Sequence, residues 1–146
     1  MAISDSRRLY IVVPHLYPDL KSDSGGSFNE GDYRLENRSD GNGTQLIWHN
    51  GEITAPTNQE LANAKEAAVD AYWWKLLRKK RDKLLIDSDW SQGADVPNSL
   101  KTSYETYRTN LRDLPTTVTK PSFSTLNNQE DTKWIEYINS SMPSKP

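Results

Sequence analysis

The clearest periodicity in the chain lies between two prolines. Leu100, Tyr104, Tyr107, Leu111 and Leu114 step by four, three, four and three residues, the a/d spacing that gathers apolar side chains on one seam of an α-helix. Val96-Pro97-Asn98 leads into this helix, Asn98 or Ser99 is available to cap it, and Pro115 is expected to end it after Leu114. Upstream, Thr57-Asn58-Gln59-Glu60 follows Pro56 in capping-box order. No Gly or Pro then intervenes before Ser88, so a helix of about 30 residues, roughly 45 Å long, is predicted.

The apolar stripe of that long helix turns on the way. Leu61, Ala64, Ala68 and Tyr72 share one face, whereas Trp73, Leu77 and Leu84, with Trp74 and Leu85, fall about half a revolution away. A kink near Tyr72 or two packing partners would account for this, and two partners are the favoured reading: a β-hairpin for the early face, the next helix for the later one. The polar connector DSDWSQGADVPN is short enough to fold the two helices back as an antiparallel αα-hairpin. Trp90, within it, is expected as a buried loop anchor over the hairpin's open end, with a partner-binding role as the alternative.

Before residue 57 the pattern changes. Residues 8–13, RLYIVV, are β-branched and aromatic and stop at Pro14, which predicts a strand. A Pro-, Gly-, Ser- and Asp-rich stretch follows, then YRLEN at 33–37 and TQLIWHN at 44–50, joined by RSDGNG. The Asp-Gly and Asn-Gly pairs mark this as a hairpin, with Leu35, Leu46 and Trp48 expected inward. The fold class is therefore α+β: a small N-terminal antiparallel β-hairpin, a long helix, an antiparallel αα-hairpin and an extended C-terminal arm. The expected divisions are a β-rich module over 1–56, a helical hairpin over 57–115 and an arm over 116–146.

Composition narrows the function. Only 34% of the 146 residues are hydrophobic and the mean hydropathy is −0.84, a balance expected of a chain that leans on a partner. There is no cysteine, which removes disulfides, thiolate metal sites and thiol nucleophiles and fits a reducing compartment. The longest early apolar run, LYIVV, is too short for a secretion signal or a membrane span.

Charge bears on the block WWKLLRKKRDKLLIDSDW at 73–90. Split at Pro56 and Pro115, the segments carry 5 basic and 8 acidic, 10 and 9, and 3 and 3 residues. Asp82, Asp87, Asp89 and Asp95 interrupt or follow the block, so the sustained cationic face of a nucleic-acid binder is missing. Lys75, Lys79, Asp82 and Lys83 should face water, while Arg81 lies beside the apolar stripe and calls for Asp113 or Glu105 on the returning helix. Arg108 and Arg112 call in turn for Asp82, Asp87 or Asp89. Such cross-helix pairs fix register more than they stabilise.

Candidate chemistry is sparse. His15 and His49 stand in separate contexts without carboxylate spacing for a metal, and both read as surface or structural residues. The glycine pairs lack the strand-loop-helix setting of a phosphate cradle, and no nucleophile elbow appears. No catalytic residue, cofactor or metal is expected.

The spaced set Trp74, Arg78-x-x-Arg81-Asp82-x-Leu84-Leu85, Asp89-Trp90, Asp95-x-Pro97 and Tyr107-Arg108-x-x-Leu111-Arg112-Asp113-Leu114-Pro115 resembles the bacteriophage tail assembly chaperone family. The likeness covers roughly residues 73–115, with an echo in Asp131-x-x-Trp134, and departs from the pattern at Trp134-Ile135. It implies a helical hairpin serving tail or tail-fibre assembly in the host cytoplasm rather than catalysis. The implied partner is a tail, baseplate or tail-fibre polypeptide, with a second copy of the chain also possible and no nucleic acid, membrane or small-molecule substrate. A permanent virion component is the alternative. The expected docking residues are Trp73, Trp74, Trp90 and Trp134, held by hairpin ion pairs among Arg78, Arg81, Asp82, Arg108, Arg112 and Asp113.

Overall fold

The computed structural model describes residues 7–23 and 31–146. They belong to two compact units, Met1–Ala71 and Tyr72–Pro146. One helix, α2 (Asn58–Asp87), runs unbroken through that boundary and contributes to both.

In the first unit the predicted hairpin forms. Strands β1 (Tyr33–Asn37) and β2 (Thr44–Trp48) pair antiparallel, with Tyr33 opposite Trp48 and Leu35 opposite Leu46. The turn uses the chemistry its residues offer: Asn37 and Asp40 side chains accept the Ser39 and Asn42 amides, and Ser39, Gly41 and Gly43 take positive φ. Of the inward residues expected, Leu35, Leu46 and Trp48 are half-buried, while Tyr33 is the strand residue most enclosed. The Trp48 ring stacks on Tyr33, meets Tyr17 edge-on and donates its Nε1 proton to the Ile53 carbonyl.

The run RLYIVV is not a strand. Leu9–Leu16 forms helix α1, with Pro14 inside it. As a helix the segment satisfies its own backbone without a pairing strand. Leu9, Val12 and Val13 also have i, i+3, i+4 spacing, and all three are fully buried. Pro14 has no amide to donate to the Tyr10 carbonyl one turn back, and the helix runs on to Leu16 regardless.

The start of α2 follows its sequence. The Thr57 amide donates to Glu60 Oε2 at 2.7 Å and the Glu60 amide to Thr57 Oγ1 at 3.2 Å, the reciprocal capping box. Leu61, on the early face, lines a cavity with Leu9, Leu46 and Trp48, so the start of that face looks across it to the hairpin.

In the second unit α2 leads through a 3₁₀ turn (Asp89–Gln92) into α3 (Asn98–Thr117), then α4 (Phe123–Asn127) and α5 (Asp131–Ser140). Tyr104, Tyr107 and Leu111 form a buried cluster against Leu84, Leu85 and Met142, which closes the αα-hairpin through the later face of α2. Burial raises the Tyr107 phenol above its ordinary range. Three expectations are corrected here. Pro97, not Asn98 or Ser99, is the N-cap residue of α3, and no side chain caps it. The helix continues through Pro115 to Thr117, with the Val118 amide bonding the Leu114 carbonyl; a proline this close to a C-terminus disturbs little helix beyond it. Residues 116–146 are not an extended arm, because α4 and α5 bury Leu126, Trp134 and Ile138.

Candidate partner-binding face

The αα-hairpin is locked at its turn by one buried cation. Arg108, on α3, donates from Nη1 to the Leu85 carbonyl at 2.6 Å and to Ser88 Oγ at 2.7 Å, and from Nη2 to Asp89 Oδ1 at 2.8 Å. Leu85 lies in the last turn of α2, beyond the reach of the regular helical bonds, and its carbonyl also accepts the Ser88 amide at 3.2 Å. A guanidinium there both satisfies the carbonyl and opposes the negative end of the helix dipole. Ser88 and Ser91, both buried, complete the end: Ser88 Oγ donates to the Leu85 carbonyl and Ser91 Oγ to that of Ser88.

Of the ion pairs expected across the hairpin, Arg108 with Asp89 forms. Arg81 instead binds its neighbour Asp82 at 2.7 Å, since Glu105 and Asp113 both point to solvent. Arg112 is likewise exposed and, with Asp113, forms no ion pair among the described residues. Arg78 places its guanidinium 5.8 Å from the centre of the Trp74 ring, a cation-π contact rather than a salt bridge.

The four tryptophans expected to dock divide by burial. Trp73 and Trp134 are completely enclosed and so are core residues, which corrects their assignment as docking residues. Trp73 sits at the centre of the later stripe and packs on Trp74 and Tyr137, while Trp134 packs on Tyr72 and donates its Nε1 proton to the Leu126 carbonyl. Trp74 is half-buried. Trp90 is 52% exposed, not the buried anchor expected, because Ser88, Ser91 and Arg108 already occupy the interior of the turn. One edge of its ring meets Tyr104, with centroids 5.0 Å apart, so it is held firmly while much of it faces water.

Sequence reasoning passed over Ile86. At 69% exposure it is the most exposed large apolar residue described, and it lies in a shallow groove along the outer side of α2 with Lys75, Arg78, Lys79, Asp82 and Lys83. Its position off the apolar stripe could have been read from a helical wheel. Among the described residues no group of three or more His, Cys, Asp or Glu is placed to hold a metal, and no helix is long and apolar enough to cross a membrane.

Residues 74–134 match the family model of the phage tail assembly chaperone protein. The matched stretch is under half of the chain and takes in the later half of α2, all of α3, the Arg108 lock, Trp74, Trp90 and the Asp131-x-x-Trp134 echo. Neither the curated proteins nor the solved structures contain a match to the chain.

Proposed function

We propose that this chain acts in phage tail assembly as a non-catalytic binding protein, working in the cytoplasm of the infected host. Its second unit engages a tail, baseplate or tail-fibre polypeptide through Trp90 and Trp74, with the helical hairpin as a rigid mount. One observation carries this reading: within the matched stretch a large aromatic is fixed by an edge contact to Tyr104, yet 52% exposed, beside a turn locked by a buried arginine. A pre-positioned aromatic with few rotamers to lose is the kind of residue that anchors protein interfaces. Trp74, half-buried under Arg78, is the second anchor.

The test is co-expression of the full chain with each tail polypeptide, followed by affinity capture. Trp90→Ala and Trp74→Ala should each weaken capture while helical content is retained. Unchanged capture by both variants would refute the docking assignment. Mass spectrometry of purified particles then separates an assembly factor, absent from them, from a virion component present in fixed copy number.

A further inference from the structure

The chain divides electrostatically at the place where it divides structurally. Residues 1–71 hold 6 basic and 11 acidic residues, a net of −5, while residues 72–146 hold 12 basic and 9 acidic, a net of +3. The same asymmetry runs along α2: residues 58–71 contain Glu60, Glu66 and Asp70 against Lys65, and residues 72–87 contain Lys75, Arg78, Lys79, Lys80, Arg81 and Lys83 against Asp82 and Asp87.

On the basic side the surplus lies in an exposed row. Lys83 pairs with Asp87 and Arg81 with Asp82, but Lys75 and Lys79 are exposed and have no carboxylate partner among the described residues. Together with Arg78 they line the outer groove of α2, which ends at the exposed Ile86. On the acidic side many carboxylates are already engaged. Asp32 accepts the Lys21 amide and the Asn50 side chain, Glu36 binds Arg34 and Arg38, and Glu60 serves the capping box. Asp19, Glu52 and Glu66 are exposed with no basic partner among the described residues.

We propose that this groove is a self-association surface, in which the Lys75-Arg78-Lys79 row of one copy docks against the acidic first unit of another. Each copy carries both halves of the contact, so the complementary surface is supplied by the chain itself. A nucleic-acid strand fits less well, because Asp82 sits within the row and the unit's net charge is only +3. This row adjoins Trp74 through Arg78, but the purified chain alone, with no tail polypeptide present, tests the inference.

Sedimentation velocity of the full chain should show mass rising with concentration at about 0.05 M NaCl and falling to monomer at about 0.5 M, where the Debye length is only about 4 Å. Lys75→Glu/Lys79→Glu should raise the dissociation constant at least about tenfold at low salt, helical content unchanged. Glu52→Lys/Glu66→Lys should do the same. Mixed together the two variants should associate again, since each supplies the sign the other has lost. A wild-type chain that stays monomeric at low salt overturns the proposal. So does association indifferent to salt or to the lysine reversal, or a mixture that fails to associate. Retention of the monomeric chain on duplex DNA, lost with the lysines, would overturn it in favour of nucleic-acid binding.

Discussion

Replacing Arg108 with alanine removes the side chain whose hydrogen bonds tie α3 to the end of α2. Two of its bonds go to enclosed neutral acceptors, the Leu85 carbonyl and Ser88 Oγ, and one to Asp89, whose side chain is 63% exposed. Charge-assisted bonds contribute about 1.5–3 kcal/mol each. Ser88 still serves the Leu85 carbonyl after the change, so the net loss is set at about 3 kcal/mol, the lower end of that sum. The exposed Asp89 pair adds less than about 1 kcal/mol. For a unit of this size a loss of about 3 kcal/mol lowers Tm by about 12–24 °C. Trp73, Trp74, Trp90 and Trp134 all lie in the second unit, so tryptophan fluorescence during urea unfolding reports largely on it, and the midpoint should fall with the slope unchanged. Asp89→Ala is the control and should cost less than about 1 kcal/mol, diminishing with salt. Equal losses in the two variants, or an Arg108→Ala loss that disappears in high salt, would show that the ion pair rather than the carbonyl and hydroxyl bonds holds the turn, and the reasoning would fail.

Other consequences can be measured alongside. Trp134→Ala empties a fully buried site and should destabilise by about 3–5 kcal/mol, whereas Trp90→Ala, mostly in water already, should cost about 1 kcal/mol or less; thermal melts of the pair that come out equal would contradict the burial assigned here. Hydrogen bonds from the Thr57 amide and hydroxyl hold the Glu60 carboxyl below its usual range, so its contribution is fully present above about pH 4.3, the ordinary glutamate value, and is lost as pH falls through the depressed folded value. Amide exchange in the first turn of α2 should therefore accelerate on acidification in the wild type and be pH-indifferent, after correction for intrinsic rates, in Glu60→Gln, whose amide oxygen can still accept the Thr57 amide without titrating. A Cβ on Gly31 would lie 2.5 Å from Asp23 Oδ1 and 2.7 Å from the Lys21 carbonyl, so Gly31→Ala should lower the stability of the first unit by about 1–3 kcal/mol, read from the loss of Trp48 packing by NMR.

The sequence alone determined the elements whose signals are local. The capping box of Thr57 and Glu60, the Asp-Gly and Asn-Gly turn, the uninterrupted α2 and the seam of Leu100, Tyr104, Tyr107, Leu111 and Leu114 each depend on residues a few positions apart, and all appear where their spacing put them save Leu100, which the first turn of α3 leaves exposed. The turning stripe of α2 likewise announced two packing partners. Tertiary structure decided whatever depended on competition for the same space. RLYIVV suits a strand or a helix equally until the fold buries Leu9, Val12 and Val13 together on one side of a helix. Trp73, Trp74, Trp90 and Trp134 are alike as residues, but only packing distinguishes core from surface: Trp134 turns inward from α5 onto Tyr72 and the Leu126 carbonyl, Trp73 takes the centre of the stripe, and Ser88, Ser91 and Arg108 fill the turn and leave Trp90 outside. Composition likewise held several acceptable acidic partners for each arginine. Which of them an arginine takes depends on where the folded backbone sets its long side chain, and that choice is global, because every buried position filled by one residue is closed to the others.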